Sequence, residues 1–153
     1  MPIQPISKTA TLASLPPEWP DDLRSTIRSQ VEQSGRTIVV LDDDPTGTQT
    51  VYDVPVLTGW GVDVLAAELA RKPACFYILT NSRALPGPEA AALGRTIGQN
   101  LATASAAAGR DVAVVSRSDS TLRGHYPGEV NALAEGLGQQ FDGQLVIPFF
   151  LEG

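Results

Sequence analysis

Apolar, β-branched runs alternate along this chain with stretches whose apolar residues recur at helical spacing, and that alternation leaves few architectures open. Thr37 to Leu41 reads as a strand buried on both faces, Cys75 to Leu79 as a second, Asp111 to Val115 as a third and Gln144 to Ile147 as a fourth. Val54 to Leu57 is a shorter run that Pro55 confines to a sheet edge. Between them, Asp21 to Gln33, Val62 to Arg71, Pro88 to Ala108 and Glu129 to Leu137 carry helical patterns. In the first of these, Leu23, Ile27 and Val31 share one face and Gly35 supplies the stop. Such alternation implies parallel pairing through right-handed crossovers. The expected fold is α/β, an open and mostly parallel sheet with flanking helices, Rossmann-like and three-layered, incomplete at its C-terminus.

With 153 residues, 42% apolar and 18% charged, the chain has material for one α/β domain with a real core and too little for two. Residues 1–20 contain five prolines and little periodicity, and are expected to form an extended arm ahead of a domain at 21–153. The net charge of −6 opposes nucleic acid as a general partner, since a phosphate backbone needs a basic face. A small anionic substrate stays open, because a few local arginines outweigh a mildly negative global field. Cys75 is the single cysteine, which excludes a disulfide framework and a cysteine-based metal site. No apolar run approaches the roughly 20 residues that span a bilayer. Met1 to Thr11 lacks the apolar core of a secretory signal, so the expected location is cytoplasmic, with no membrane partner. At the other end, Phe149 and Phe150 follow a strand pattern with no covering layer after them, which predicts that the domain continues past Gly153.

Three polar clusters follow the carboxyl ends of strands, the edge at which open parallel sheets bind ligands. The first is Asp42, Asp43, Asp44, Pro45, Thr46, Gly47, Thr48 and Gln49. Adjacent carboxylates repel, so the cluster calls for compensation. It suits taking a proton from a hydroxyl, hydrogen-bonding a polyol or holding Mg²⁺, and a solvated acidic turn is the plainer alternative. Thr46 to Thr48 adds a tight turn able to cradle an anion. The second cluster is Thr80, Asn81, Ser82 and Arg83, where the arginine can offer two parallel N–H bonds to a carboxylate. The third, Ser116 to His125, packs Arg117, Asp119, Ser120, Thr121, Arg123 and Gly124 into a few residues. Its arginines suit a carboxylate or a transferring phosphoryl group. His125 is the only histidine and reads equally as a satisfied loop residue.

These residues carry a family resemblance over roughly Ile38 to Gly153. Leu41-Asp42-Asp43-Asp44-Pro45-Thr46-Gly47 resembles the aspartate-pair, threonine and glycine motif that opens four-carbon acid sugar kinases. Arg117 through Gly124 is similar to that family's basic, aspartate, serine, threonine, arginine, glycine segment, and Thr80 to Arg83 to its middle motif. Pro148 to Gly153 resembles the start of a fourth motif, a proline–aromatic stretch closing in glycine–arginine, cut before the arginine.

The resemblance implies the N-terminal part of a kinase that phosphorylates a hydroxyl of threonate, erythronate or 3-oxo-tetronate. ATP and Mg²⁺ would be bound by a C-terminal domain absent from this sequence, and the fragment alone would transfer nothing. Asp43 and Asp44 would contact substrate hydroxyls, one as general base, while Thr46 and Gly47 shape the turn. Arg83 and Arg123 would bind the carboxylate, with Ser82, Arg117, Asp119, Ser120, Thr121 and Gly124 completing the pocket. The sequence departs from the family pattern at Arg117, where lysine is frequent, at His125, where asparagine is frequent, and at Thr50, where an acid is sometimes found. Two other readings compete. Asp42 to Thr46 matches the pattern of haloacid-dehalogenase-type phosphatases, with Asp42 as nucleophile and Asp44 as acid/base. The chain could also be a non-catalytic, truncated ligand-binding domain.

Overall fold

Apolar residues at both parities of Thr37–Asp42 give the first strand, β1, two faces to bury, and it occupies an interior position in the sheet. The structure, a computed structural model, describes residues 5–17, 20–49, 51–119 and 123–147. Its other strands are β2 (Val56–Leu57), β3 (Cys75–Leu79) and β4 (Val112–Arg117), in the order β2-β3-β1-β4, and every pair is parallel. Val39 lies opposite Phe76 and Val114, and Leu41 opposite Ile78 and Ser116, so one face is apolar except for Ser116 near the end of β4.

That face is covered by α3 (Val62–Ala70), α4 (Gly87–Ala108) and α5 (Gly128–Leu137). Leu65, Leu69, Ile97, Leu101, Leu133 and Leu137 close on Val39, Leu41, Phe76 and Ile78 as one core. Each such fully buried side chain contributes about 1.5–3 kcal/mol relative to exposure. The opposite face receives α2 (Arg24–Ser34), whose Ile27 and Val31 line a shallow groove with Ile38 and Ala113. The chain is thus a helix–sheet–helix α/β fold, open and fully parallel among the described strands, as the alternation predicted. No helix among the described residues is long and apolar enough to cross a membrane.

The α4–α5 contact depends on glycine. A Cβ on Gly98 would lie 2.5 Å from the Leu133 carbonyl oxygen and 2.9 Å from the Leu137 nitrogen, both backbone atoms that cannot swing away. Gly94 faces the Glu129 backbone, and Gly136 sits against the backbone of Arg95. Gly98→Ala is expected to cost about 1–3 kcal/mol through overpacking, outweighing alanine's better helix propensity. Urea unfolding at neutral pH measures it.

Two expectations fail. Gln144 to Ile147 is not a strand: it pairs with nothing described, and Leu145, Val146 and Ile147 are 89%, 62% and 75% exposed. Its β propensity is real, but propensity expresses fit to a half-buried pleated surface, and no neighbouring ladder receives this segment. Nor is the arm wholly extended. Lys8–Ala13 forms a short helix, α1, capped by Ser7 Oγ accepting from Ala10 N–H at 3.4 Å, with no residue buried. The predicted Met1 to Gln4 and the phenylalanine pair after Ile147 lie outside the described residues.

Candidate functional site

The carboxyl ends of β1, β3 and β4 lie side by side, so the three polar clusters meet at one edge. The register sets Asp42 directly beside Leu79 and Arg117. Asp42 has no exposed surface; its Oδ1 accepts from Arg117 Nη1 at 3.1 Å and from Asp44 N–H at 3.3 Å, while Oδ2 has no partner among the described residues. Burial pushes the Asp42 carboxyl above its ordinary value, against the Asp44 N–H and Arg117. Gly47 is what allows this packing, because a Cβ there would overlap the Asp42 carboxylate.

Asp43 and Asp44 point elsewhere, and Arg83 joins them. Asp43 is buried, with Oδ1 accepting from Arg83 Nη2 at 3.1 Å and Oδ2 from the Ser118 hydroxyl at 2.9 Å. Asp44 is partly open. Its Oδ1 accepts from Thr46 N–H at 2.6 Å and Thr46 Oγ1 at 2.5 Å, and its Oδ2 pairs with Arg83 Nη1 at 2.7 Å. The Thr46 hydroxyl and N–H hold the Asp44 carboxyl below the usual carboxylate range. Arg83 Nη1 also reaches Asp119 at 2.7 Å, and Asp119 pairs in turn with Arg123. One guanidinium therefore ties together acids from two strand ends, and its hydrogen bond to Asp43 raises an already high pKa further. Its Nε is buried with no acceptor among the described residues.

A left-handed corner aims Arg83 inward. Asn81 has φ 52°, a conformation asparagine tolerates, and it turns the chain from β3 into a single 3₁₀ turn at Ser82–Ala84. Thr80 N–H and Thr80 Oγ1 both lie 2.9 Å from the Asp42 carbonyl oxygen, which pins the corner to β1.

The structure thus brings together Asp43, Asp44, Thr46, Gly47, Ser82, Arg83, Arg117, Asp119, Arg123 and Gly124. Ser120, Thr121 and the Thr50 position lie outside the described residues. Gly124 is tight against Ser118 and near Asp43, which explains glycine there. Arg117 and Arg123 are the more open cations, with side chains 44% and 66% exposed. Two residues there were not among the predicted site residues: Ser118, inside the third cluster, which completes Asp43's bonding, and Glu129, buried in the first turn of α5. Glu129 read only as an acid at a helix start, and no local signal marks it as buried. Among the described residues no group of three or more acids, histidines or cysteines is arranged to hold a metal ion. The phosphatase alternative requires Asp42 to attack in line, and a carboxylate without exposed surface cannot do so.

A family model described as "Sugar-binding N-terminal domain" matches residues 38–153. The chain belongs to the sugar-binding N-terminal domain family. No curated protein and no solved structure matches it. In this sugar-binding domain the matched span begins one residue into β1 and takes in all three clusters.

Proposed function

We propose that the chain binds a four-carbon sugar acid, a tetronate such as threonate, erythronate or 3-oxo-tetronate, as the substrate half of an ATP-dependent kinase. Membership of a sugar-binding family supports the ligand class. The observation that carries the finer reading is the juxtaposition of an arginine-tied acid cluster with two exposed arginines on the rim. A polyol acid needs both parts: ionised oxygens to accept from its hydroxyls, and guanidinium forks for its carboxylate.

The geometry divides the roles. Asp43, with both oxygens engaged and almost no exposure, serves as frame. Asp44 faces outward, stays ionised and accepts from the hydroxyl to be phosphorylated. Arg117 and Arg123 meet the substrate carboxylate, while Arg83, occupied by aspartates, keeps the acids at their spacing. ATP and Mg²⁺ would be brought by a separate C-terminal nucleotide-binding domain, supplying the phosphoryl group and part of its charge neutralisation. On its own this chain orients the acceptor and transfers nothing.

Calorimetric titration of the 153-residue chain with D-erythronate, L-threonate and erythritol is the test. The acids are expected to bind with a dissociation constant of about 0.1–1 mM, and erythritol, which lacks the carboxylate, at least about tenfold more weakly. Equal binding of erythritol, or binding of Mg-ATP with no acid bound, would overturn the assignment.

A further inference from the structure

Of the three aspartates at the end of β1, Asp43 frames the site and Asp44 meets the hydroxyl, while Asp42 has no exposed surface with which to touch a ligand. Its bonds nevertheless reach all three polar clusters. The Asp42 carbonyl oxygen accepts from Thr80 N–H and Thr80 Oγ1, both at 2.9 Å. Its Oδ1 accepts from Asp44 N–H at 3.3 Å and from Arg117 Nη1 at 3.1 Å.

The loop after β1 is wound round this carboxylate. Asp42 Oδ1 on Asp44 N–H makes one side-chain turn, and Asp44 Oδ1 on Thr46 N–H at 2.6 Å makes the next. Gly47 N–H then returns to the Asp44 carbonyl at 3.0 Å, which lays Gly47 against the Asp42 carboxylate. The register accounts for the Arg117 bond. Asp42 and Arg117 are partners on adjacent parallel strands, so their side chains leave the same face of the sheet.

We infer that Asp42 is a positioning residue for acid recognition: by holding Arg117 Nη1 and Asp44 N–H on one oxygen, it fixes the carboxylate-binding cation relative to the hydroxyl-binding acid. This rests on the tetronate reading above. In a guanidinium, the Nε and Nη2 N–H groups lie parallel on the side away from Nη1. Held at Nη1 from behind, Arg117 presents that pair as the fork a carboxylate takes bidentately. No other described side chain pairs with Arg117, which is 44% exposed, so its stance depends on Asp42. The Asp42 charge also opposes an anion. The guanidinium stands between the two carboxylates, however, whereas a loosened fork loses a bond outright. Burial works against the Asp42 charge, so a neutral isostere at this position should still fold.

Calorimetric titrations with D-erythronate and erythritol compare the wild-type 153-residue chain with Asp42→Asn, Arg117→Met and the double variant. Asp42→Asn is expected to weaken erythronate binding about three- to tenfold and erythritol binding less than about twofold. Once Arg117 is replaced by Met, Asp42→Asn should have no further effect on erythronate. A merely structural residue would lower both ligands alike. Equal loss for both ligands, erythronate affinity unchanged or raised in Asp42→Asn, or an undiminished effect of Asp42→Asn beside Arg117→Met overturns the inference. NMR relaxation of the wild type needs no variant. Arg117 Nε–H is expected to be more rigid than Arg24 Nε–H, whose pair with Asp22 is exposed. Equal mobility of the two overturns the inference, whether or not the variants fold. A rigid Arg117 with no erythronate bound at any concentration upholds the tie of Asp42 to Arg117 and sinks the tetronate reading; erythronate bound beside a mobile Arg117 does the reverse.

Discussion

Arg83→Ala is expected to lower stability by about 3–5 kcal/mol and to weaken tetronate binding beyond detection. Arg83 is the counter-charge of Asp43 and Asp44 and shares Asp119 with Arg123. Asp43 is buried, so the alanine variant leaves a charge that neither water nor a cation meets directly. Removing one partner of a buried pair costs more than the pair itself contributes, which is why the effect exceeds that of a surface bridge. In a domain of this size the loss corresponds to a fall of roughly 10 °C in melting temperature. Arg83→Lys should recover only part of it, because an ammonium cannot serve Asp43 through one nitrogen while serving Asp44 and Asp119 through another. Thermal unfolding of both variants at neutral pH is the measurement, with Arg24→Ala, which removes an exposed pair to Asp22, as the control. An equal loss for Arg83→Ala and Arg24→Ala would refute the argument.

Gly47→Ala is expected to be the next most damaging change, at about 1–3 kcal/mol of stability and more than tenfold in tetronate affinity. The methyl group would occupy the space of the Asp42 carboxylate, which Arg117 and the Asp44 N–H hold in place. To accommodate it, either Asp42 leaves its pairing or the Asp44–Thr46 turn opens, and both distort the site. Gly59→Ala is the control: nothing lies within 4 Å of a Cβ there, and its effect should stay within about 0.5 kcal/mol. Equal effects for the two variants, read by urea unfolding and calorimetry, would refute the argument.

Much of the fold was legible because its signals are local. β3 matches the apolar run Cys75–Leu79 residue for residue, and α3 and α4 fall within a residue of their periodic patterns. Pro55 correctly confined β2 to an edge, where its carbonyl still accepts from Tyr77 N–H at 2.9 Å. Gln144 to Ile147 misled for the same reason that β3 did not: strand propensity is local, but a strand exists only where another edge receives it. The site was half legible. Spacing after strand ends identified the acids and arginines as neighbours, because topology alone carries them to one edge. It could not say that Arg83 would tie three aspartates together while Arg117, paired with Asp42, stays partly exposed. Nor could it find Glu129, which looks on paper like any acid in a helix's first turn; only the packing of α5 on α4 buries it.

That packing has a consequence for how the chain can vary. Gly94, Gly98 and Gly136 set the spacing of two helices on the rear of the sheet, yet the same helix carries Glu129 at its leading end. The glycine seam therefore works as a ruler for the front of the molecule: thickening it by one methyl group displaces α5 as a body and, with it, His125 just ahead of the helix, whose Nε2 lies 3.2 Å from the Ser82 carbonyl oxygen. Residues with no side chain and no contact with ligand would then govern ligand affinity, and natural variation along the seam would tune the site without touching any of its polar groups.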